Sequence, residues 1–373
     1  MAPSGLFYAR LEDRDWRFLE RLGEEAPFDA AVLKGGYLAD YPEGDSRHGE
    51  EAGRLTKVLG EKEWDWALDP ATAAHAHPHA AAWTSPRARS CSLAQSIPLP
   101  WTAAALADPG LAAELIEAAV DLQSGSRALA APYLEVGRAE DPAIAANCGL
   151  ISMSAERATD QRVVAYLQTL SGRLLDGSAK AAAERYIAAG AETVFIRIRR
   201  FDPRNLDHVL AYLGLVEAIE AAGARPVADS TGHFGAVAVA AGAFAFSAGA
   251  RFFRKVPDAL LQRPSESSEE DEEKESGGGP PILYEHPGRF EGVHPDEAGP
   301  HLAACPVPGC LAEAGKAKAR HLRAHNFHEF RRQARLAASL GLRFAEVLRG
   351  IGSTETKLWA AALDWRAHQR RAA

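Results

Sequence analysis

Two cysteines stand five positions apart in the knuckle CPVPGC, as Cys305 and Cys310, and the segment after them delivers His321, His325 and His328. Thiolates and imidazoles in this arrangement are zinc chemistry. A structural zinc takes four Cys/His ligands tetrahedrally, often a tight Cys pair plus ligands from a following helix. The prolines and glycine fix the turn between the thiols, and His325 and His328, three apart, share one face of a helix. The expected ligands are Cys305, Cys310, His325 and His328, with His301 and His321 as substitutes. The plainer alternative is a loop of reduced thiols beside a solvated helix. The other two cysteines, Cys91 and Cys148, are isolated, so no disulfide framework is expected and a reduced, cytoplasmic setting fits.

A second histidine cluster, HAHPH, holds His75, His77 and His79. A His-x-His at a barrel strand end is the opening motif of amidohydrolase-type metal sites, where alternate side chains converge on the barrel mouth. Here the cluster begins six residues beyond Asp69, and no later Lys, His, His and Asp series completes such a site. A metal-dependent barrel hydrolase using His75 and His77 is therefore an alternative reading, and a solvated loop is the simpler one.

Acids at strand ends make the third group. Asp40, Asp69, Glu135, Asp202, Asp229 and His233 fall at or near expected strand C-termini, where barrel active sites form. Asp229 is the leading catalytic candidate, because Ser230-Thr231-Gly232 beyond it supplies donors and a flexible turn. Its competing role is to cap the following helix. Asp69 precedes Pro70 and doubles as a turn-former. Lys34 with Gly35 and Gly36 is a candidate phosphate contact. Arg197 and Arg199 alternate along one strand and so face the same side. That side is expected to be the lumen or mouth of a barrel, where the two arginines either hold an anionic ligand or pair with Glu135 or Asp229. His233 completes the substrate-binding candidates.

The elements that must position these residues follow from hydrophobic periodicity. Short apolar runs alternate with helical patterns, the signature of βαβ units. Strands are expected at Asp29–Gly36, Trp64–Ala71, Ala128–Val136 and Arg162–Leu170, then in ETVFIRIRR, ARPVADS and AFAFSAG. A possible eighth strand is Ile282–His286. Helices are expected between them, with Asp141 as a cap before Pro142 and with Gly190 and Gly223 closing two others. Right-handed crossovers make either a (β/α)8 barrel or an open doubly wound sheet from such a string. The strand count favours the barrel, and no G-x-G-x-x-G follows the first of these strands. The expected fold is a (β/α)8 TIM-type barrel over 1–290, with a C-terminal zinc-binding and basic helical module over 291–373. The run SESSEEDEEKESGGG at 265–279 reads as a flexible acidic insertion.

Apolar residues make up 47% of the 373, charged residues 25%, and the net charge is −8. These values suit a soluble globular protein. No apolar run is long enough for a membrane span, and MAPSGLFYARLEDRD lacks the apolar core of an export signal. The charge is unevenly distributed. From Gly315 onward thirteen Lys/Arg stand against four Asp/Glu. That basic segment is the expected face for a nucleic acid such as tRNA, or else a pair of solvated helices.

The barrel followed by Cys-Pro-Val…Cys and a His-Asn helix resembles the tRNA-guanine transglycosylase superfamily. Cys305 and Cys310 match the first and third cysteines of its zinc knuckle, and Ala324-His325-Asn326-Phe327 matches its histidine segment. Val307 stands where the middle cysteine belongs, and His328 is the expected replacement ligand. The specific likeness covers about 25 residues. It implies base exchange: an aspartate attacks the sugar C1′ and displaces guanine, a second aspartate assists proton transfer, and a deazaguanine base enters. The resemblance places the nucleophile after the seventh strand. Counted from Asp29, the seventh strand is AFAFSAG, which ends without an acid. A non-catalytic partner subunit is therefore the alternative within the same architecture, and the expected protein partner is a related catalytic subunit or a second copy of the chain.

Overall fold

Ten strands are formed by the described residues: β1 Leu6–Leu11, β2 Ala30–Lys34, β3 Trp66–Asp69, β4 Ala128–Ala130, β5 Arg162–Leu170, β6 Thr193–Arg199, β7 Arg225–Asp229, β8 Ala245–Gly249, β9 Tyr284–Glu285 and β10 Gly292–Val293. The helices are α1 Trp16–Leu19, α2 Ser46–Glu61, α3 Pro109–Leu122, α4 Pro142–Arg157, α5 Ser171–Leu175, α6 Ser178–Ala188, α7 Leu206–Ala221, α8 Phe234–Ala240, α9 Ala319–Leu340, α10 Phe344–Ile351 and α11 Thr354–Ala372. The structure is a computed structural model that describes residues 5–11, 15–22, 25–34, 46–73, 100–249, 284–285, 290–293 and 319–372.

The first eight strands form one parallel sheet in the order β3-β2-β1-β8-β7-β6-β5-β4. Pairing of β1 with β8 brings the two ends of the βα series together, which curls the sheet into a nearly closed barrel. The seam lies between β3 and β4, where side chains do the bridging. Ser126 Oγ donates to the Trp66 carbonyl at 2.6 Å. Thr72 Oγ1 donates to the Tyr133 carbonyl and accepts from the Tyr133 amide, both at 2.6 Å.

Strand alternation sorts the side chains into two layers. On β6, Val194, Ile196 and Ile198 join the core between sheet and helices, while Phe195 packs inside the barrel with Val32, Val164, Tyr166 and Val227. The helices follow their sequence signals. Asp108 accepts from Gly110 N and Leu111 N ahead of Pro109-started α3, and Asp141 accepts from Ala143 N at the start of α4. Gly190 and Gly223 adopt left-handed φ of 108° and 88° just past α6 and α7. Helix α8 lies so close to β8 that a Cβ on Gly235 would meet the Phe246 ring at 2.3 Å.

Two expectations are corrected. The first barrel strand is Leu6–Leu11, ahead of every strand expected from sequence, so Asp29–Gly36 contains the second strand and AFAFSAG the eighth. Within Ile282–His286 the described residues, Tyr284–Glu285, are not in the barrel sheet: among the described residues they pair with Gly292–Val293, in a separate antiparallel ribbon. Asp229 therefore closes the seventh strand, not the sixth.

The C-terminal helices belong to the same apolar core as the strands. Phe327 and Phe330 of α9 pack on Phe7 of β1 at ring-centroid distances of 6.0 and 5.5 Å, so α9 covers the junction of β1 and β8. Residues 265–279 lie outside the described residues. Among the described residues no helix is long and apolar enough to cross a membrane.

Candidate functional site at the C-terminal end of the barrel

Inward-facing positions near the C-terminal ends of four strands carry charge. Arg10 of β1, Asp69 of β3, Arg197 of β6 and Asp229 of β7 meet inside the barrel, each no more than 3% exposed. Arg10 Nη1 donates to Asp229 Oδ1 at 2.6 Å, and Arg10 Nη2 donates to Asp69 Oδ2. Arg197 mirrors this: its Nε donates to Asp229 Oδ2 at 2.6 Å and its Nη2 to Asp69 Oδ2 at 2.7 Å. Two cations and two anions thus form a closed, charge-balanced ring in which each arginine touches both acids. Such a set is tolerated in the interior only because every charge is paired and hydrogen-bonded.

Neutral groups complete the ring. Tyr133, just past β4, donates from its hydroxyl to Asp69 Oδ1 at 3.0 Å and accepts from Arg197 Nη1 at 2.7 Å. Ser247 of β8 donates to Asp229 Oδ1. The Arg197 guanidinium lies 4.9 Å from the Tyr166 ring centroid, within cation–π range.

The electrostatics follow from this arrangement. Burial alone would raise the Asp229 carboxyl, but Arg10 and Arg197 outweigh it and hold the group below its usual range. At Asp69 burial is likewise overcome by Arg197 and Arg10, and the carboxyl is held far below the ordinary carboxylate value. Both acids are ionised at neutral pH. Burial pushes the Tyr133 and Tyr166 phenols well above theirs, so both remain protonated.

The backbone is unusual at the same end. Ala71, Arg200 and Ser230, which follow β3, β6 and β7, adopt positive φ of 53°, 56° and 56° without being glycine. Non-glycine residues in this region store strain, and such residues gather at functional sites. The Thr231 hydroxyl is buried with no hydrogen-bond partner among the described residues, the kind of orphan that a ligand satisfies.

The sequence candidates divide clearly. Asp69 and Asp229 are brought together. Asp229 is not a helix cap: α8 begins after His233, and the Asp229 carboxylate is taken by the ring. Asp69 also holds the turn, accepting from Ala71 N at 3.0 Å. Arg197 and Arg199 do share the lumen side and do pair with the expected acids, Arg197 with Asp229 and Arg199 Nη1 with both oxygens of Glu135 at 2.7 and 2.8 Å. Asp202 instead forms the turn before α7, accepting from Arg204 N. His233 turns toward α9 and β9, with Nδ1 3.1 Å from Gln333 Oε1 and Nε2 2.6 Å from Glu285 Oε2. Lys34 ends β2, and nothing is described of its side chain; Gly35, Gly36, Asp40 and His75, His77 and His79 lie outside the described residues. Arg10, Tyr133 and Ser247 were not among the sequence candidates. Inward parity on β1 and β8 is the signal that finds Arg10 and Ser247.

Of the expected zinc ligands, Cys305 and Cys310 lie outside the described residues. His325 is buried in α9, with Nε2 2.7 Å from the Glu285 carbonyl oxygen. A carbonyl only accepts, so Nε2 carries a proton. Metal-binding imidazoles are often oriented by an outer hydrogen bond of this kind. His328, three residues on in α9, is half-buried. Among the described residues no group of three His, Cys, Asp or Glu side chains could hold a metal ion; two of the four expected ligands are not among them.

No known family model matches the chain, and no curated protein matches it.

Proposed function

We propose that the chain is a transglycosylase-like barrel protein that binds, and exchanges, a guanine- or deazaguanine-type base in a nucleic acid or nucleoside. The observation that carries this reading is the pair of buried, ionised aspartates at the ends of the third and seventh strands, joined by Arg10 and Arg197. The resemblance in sequence asks for a nucleophile after the seventh strand, and Asp229 closes that strand. A carboxylate held ionised suits attack on C1′ through an oxocarbenium-like transition state. As the new C1′–O bond forms, the electron pair of the glycosidic bond leaves with the base, which takes up a proton from solvent water. Asp69, also ionised, suits the return step, accepting the proton that the incoming base gives up. The two arginines hold the acids in place, and an anionic substrate is suited to draw them away.

Zinc, held by Cys305, Cys310, His325 and His328, would anchor the segment before α9 and supply structure rather than chemistry. The basic helices that follow suit a phosphate backbone, such as that of tRNA.

A second reading is favoured by one observation. Both carboxylates are fully engaged by arginines and closed off from solvent, as suits a non-catalytic partner subunit of the same architecture. Labelled guanine offered with tRNA or with a guanosine nucleoside separates the two. Incorporation by the native chain, lost in a folded Asp229→Asn variant, supports exchange. No incorporation between about pH 5 and 9, with the chain folded, removes the catalytic reading and leaves the partner-subunit one.

A further inference from the structure

The opposite, N-terminal mouth of the barrel holds a cavity of about 250 Å³. Its lining includes Tyr8, Asp29, Asp65, Arg127, Arg162 and Arg225. Two acids against three arginines look nearly balanced, but the pairing is uneven. Asp65 is taken by Arg127, with Nε 3.1 Å from Oδ1. Asp29 is taken from outside by Arg331 at 2.9 Å, and it also accepts from the Phe7 amide. No acid remains for Arg162 or Arg225: neither guanidinium makes a hydrogen bond or ion pair among the described residues.

Strand geometry sends both into the opening. Arg162 shares parity with inward Val164 on β5, and Arg225 with inward Val227 on β7. They flank Thr193 of β6, which is in register with Val164 on one side and Arg225 on the other. Arg225 is steadied by the Phe244 ring, 5.1 Å from the guanidinium carbon. The Tyr8 hydroxyl also makes no hydrogen bond among the described residues. Burial pushes this phenol up to about 12 against the pull of Arg162, so it stays a neutral donor at physiological pH. Among the described residues, the Arg162 and Arg225 guanidiniums and the Tyr8 hydroxyl at this small opening are donors with no acceptor bonded to them.

We propose that this N-terminal mouth is a binding site for a small oxyanion, a phosphate or carboxylate group, gripped by Arg162 and Arg225 with Tyr8 as a neutral donor. Guanidinium forks match the oxygens of either group bidentately. The site lies across the barrel from the aspartate ring and does not depend on the function proposed for it. The Phe195 and Phe244 rings in the lining favour an anion that carries a flat apolar portion.

Isothermal titration of the full chain with inorganic phosphate, and separately with benzoate, tests this. At least one probe should saturate at a single site. Its affinity should fall about tenfold or more in Arg162→Gln and in Arg225→Gln, as expected for loss of one charge-assisted contact, and vanish in the double variant. Arg349→Gln, whose arginine pairs with Asp364 and is not part of this lining, should bind within about twofold of the native chain. If a glutamine variant fails to fold, Arg225→Lys keeps the charge while removing the fork, and it should still weaken binding. The stronger probe identifies the source as phosphate or carboxylate. Absence of saturable binding by both probes, or binding that survives the double variant, overturns the proposal.

Discussion

Replacing Arg197 with Gln probes the aspartate ring most directly. The side chain is 2% exposed and its guanidinium reaches Asp69, Asp229 and Tyr133 at once. Removing one partner of a buried ion pair costs about 3–5 kcal/mol, because it leaves charge without compensation. Arg10 still touches both acids in the variant, so the lower end applies, about 3 kcal/mol. With a urea m-value of about 3 kcal/mol/M, the unfolding midpoint should fall by roughly 1 M. The pH dependence is the sharper readout. In the native chain both carboxyls are depressed, so they contribute stability above the unfolded carboxyl value of about 4, and that contribution is lost as pH falls through the lower folded values. In the variant burial is opposed by one guanidinium instead of two, so the folded values rise toward or past the unfolded one. The difference between native and variant should therefore be widest near pH 7 and shrink between about pH 5 and pH 3. The acids share both arginines and titrate as a pair, so the narrowing is assigned to the ring and not to either residue. Adding Asp229→Leu to Arg197→Met removes one charge of each sign and should recover more than half of the loss. A loss below about 1 kcal/mol, the size of an exposed pair, or a difference constant from pH 7 to pH 3, would refute the closed-ring account.

Other substitutions test neighbouring parts of the structure. Tyr133→Phe removes a donor to Asp69 and an acceptor from Arg197 and should cost about 1–3 kcal/mol by chemical denaturation. Gly235→Ala forces a Cβ against the Phe246 ring and should cost about 1–3 kcal/mol through overpacking; an unchanged midpoint would show that α8 can move off β8. Metal analysis of the purified chain should find one zinc, lost in Cys310→Ser and in His325→Ala and retained when His75 and His77 are both alanine. Zinc that instead follows His75 and His77 would move the metal to the hydrolase alternative.

The central strands were legible because their side chains face two apolar layers. ETVFIRIRR alternates on a period of two, and that alternation put Arg197 and Arg199 on one side of the sheet, with Glu135 and Asp229 as partners in one of the two readings it left open. The first strand was hidden by the residue that matters most in it. LFYARL is a short apolar run, but Arg10 interrupts it and charged residues follow, so it reads as a polar start to the chain. The arginine is there because the inward position it occupies belongs to the buried ring, where a local rule is broken for the sake of the site. Ile282–His286 misled in the opposite sense: it has the apolar character of a strand, but its described residues, Tyr284–Glu285, pair with the two-residue strand Gly292–Val293 and not with the barrel sheet.

One missed strand altered the functional argument more than the fold. With β1 counted, every strand rank shifts by one: AFAFSAG, which carries no acid, holds β8, and Asp229 ends β7. Local spacing cannot supply rank. Rank depends on which strand closes the barrel, and that is decided by the long-range pairing of Leu6 with Ala245 and Arg10 with Gly249. Arg10 is thus two things at once: a residue of the closing strand and a member of the ring that strand closure brings together. Closure and site assembly are one event in this chain, because the ring has both of its arginines only once β1 has paired with β8. It follows that loss of β1 pairing should cost the aspartates half of their positive partners along with the barrel.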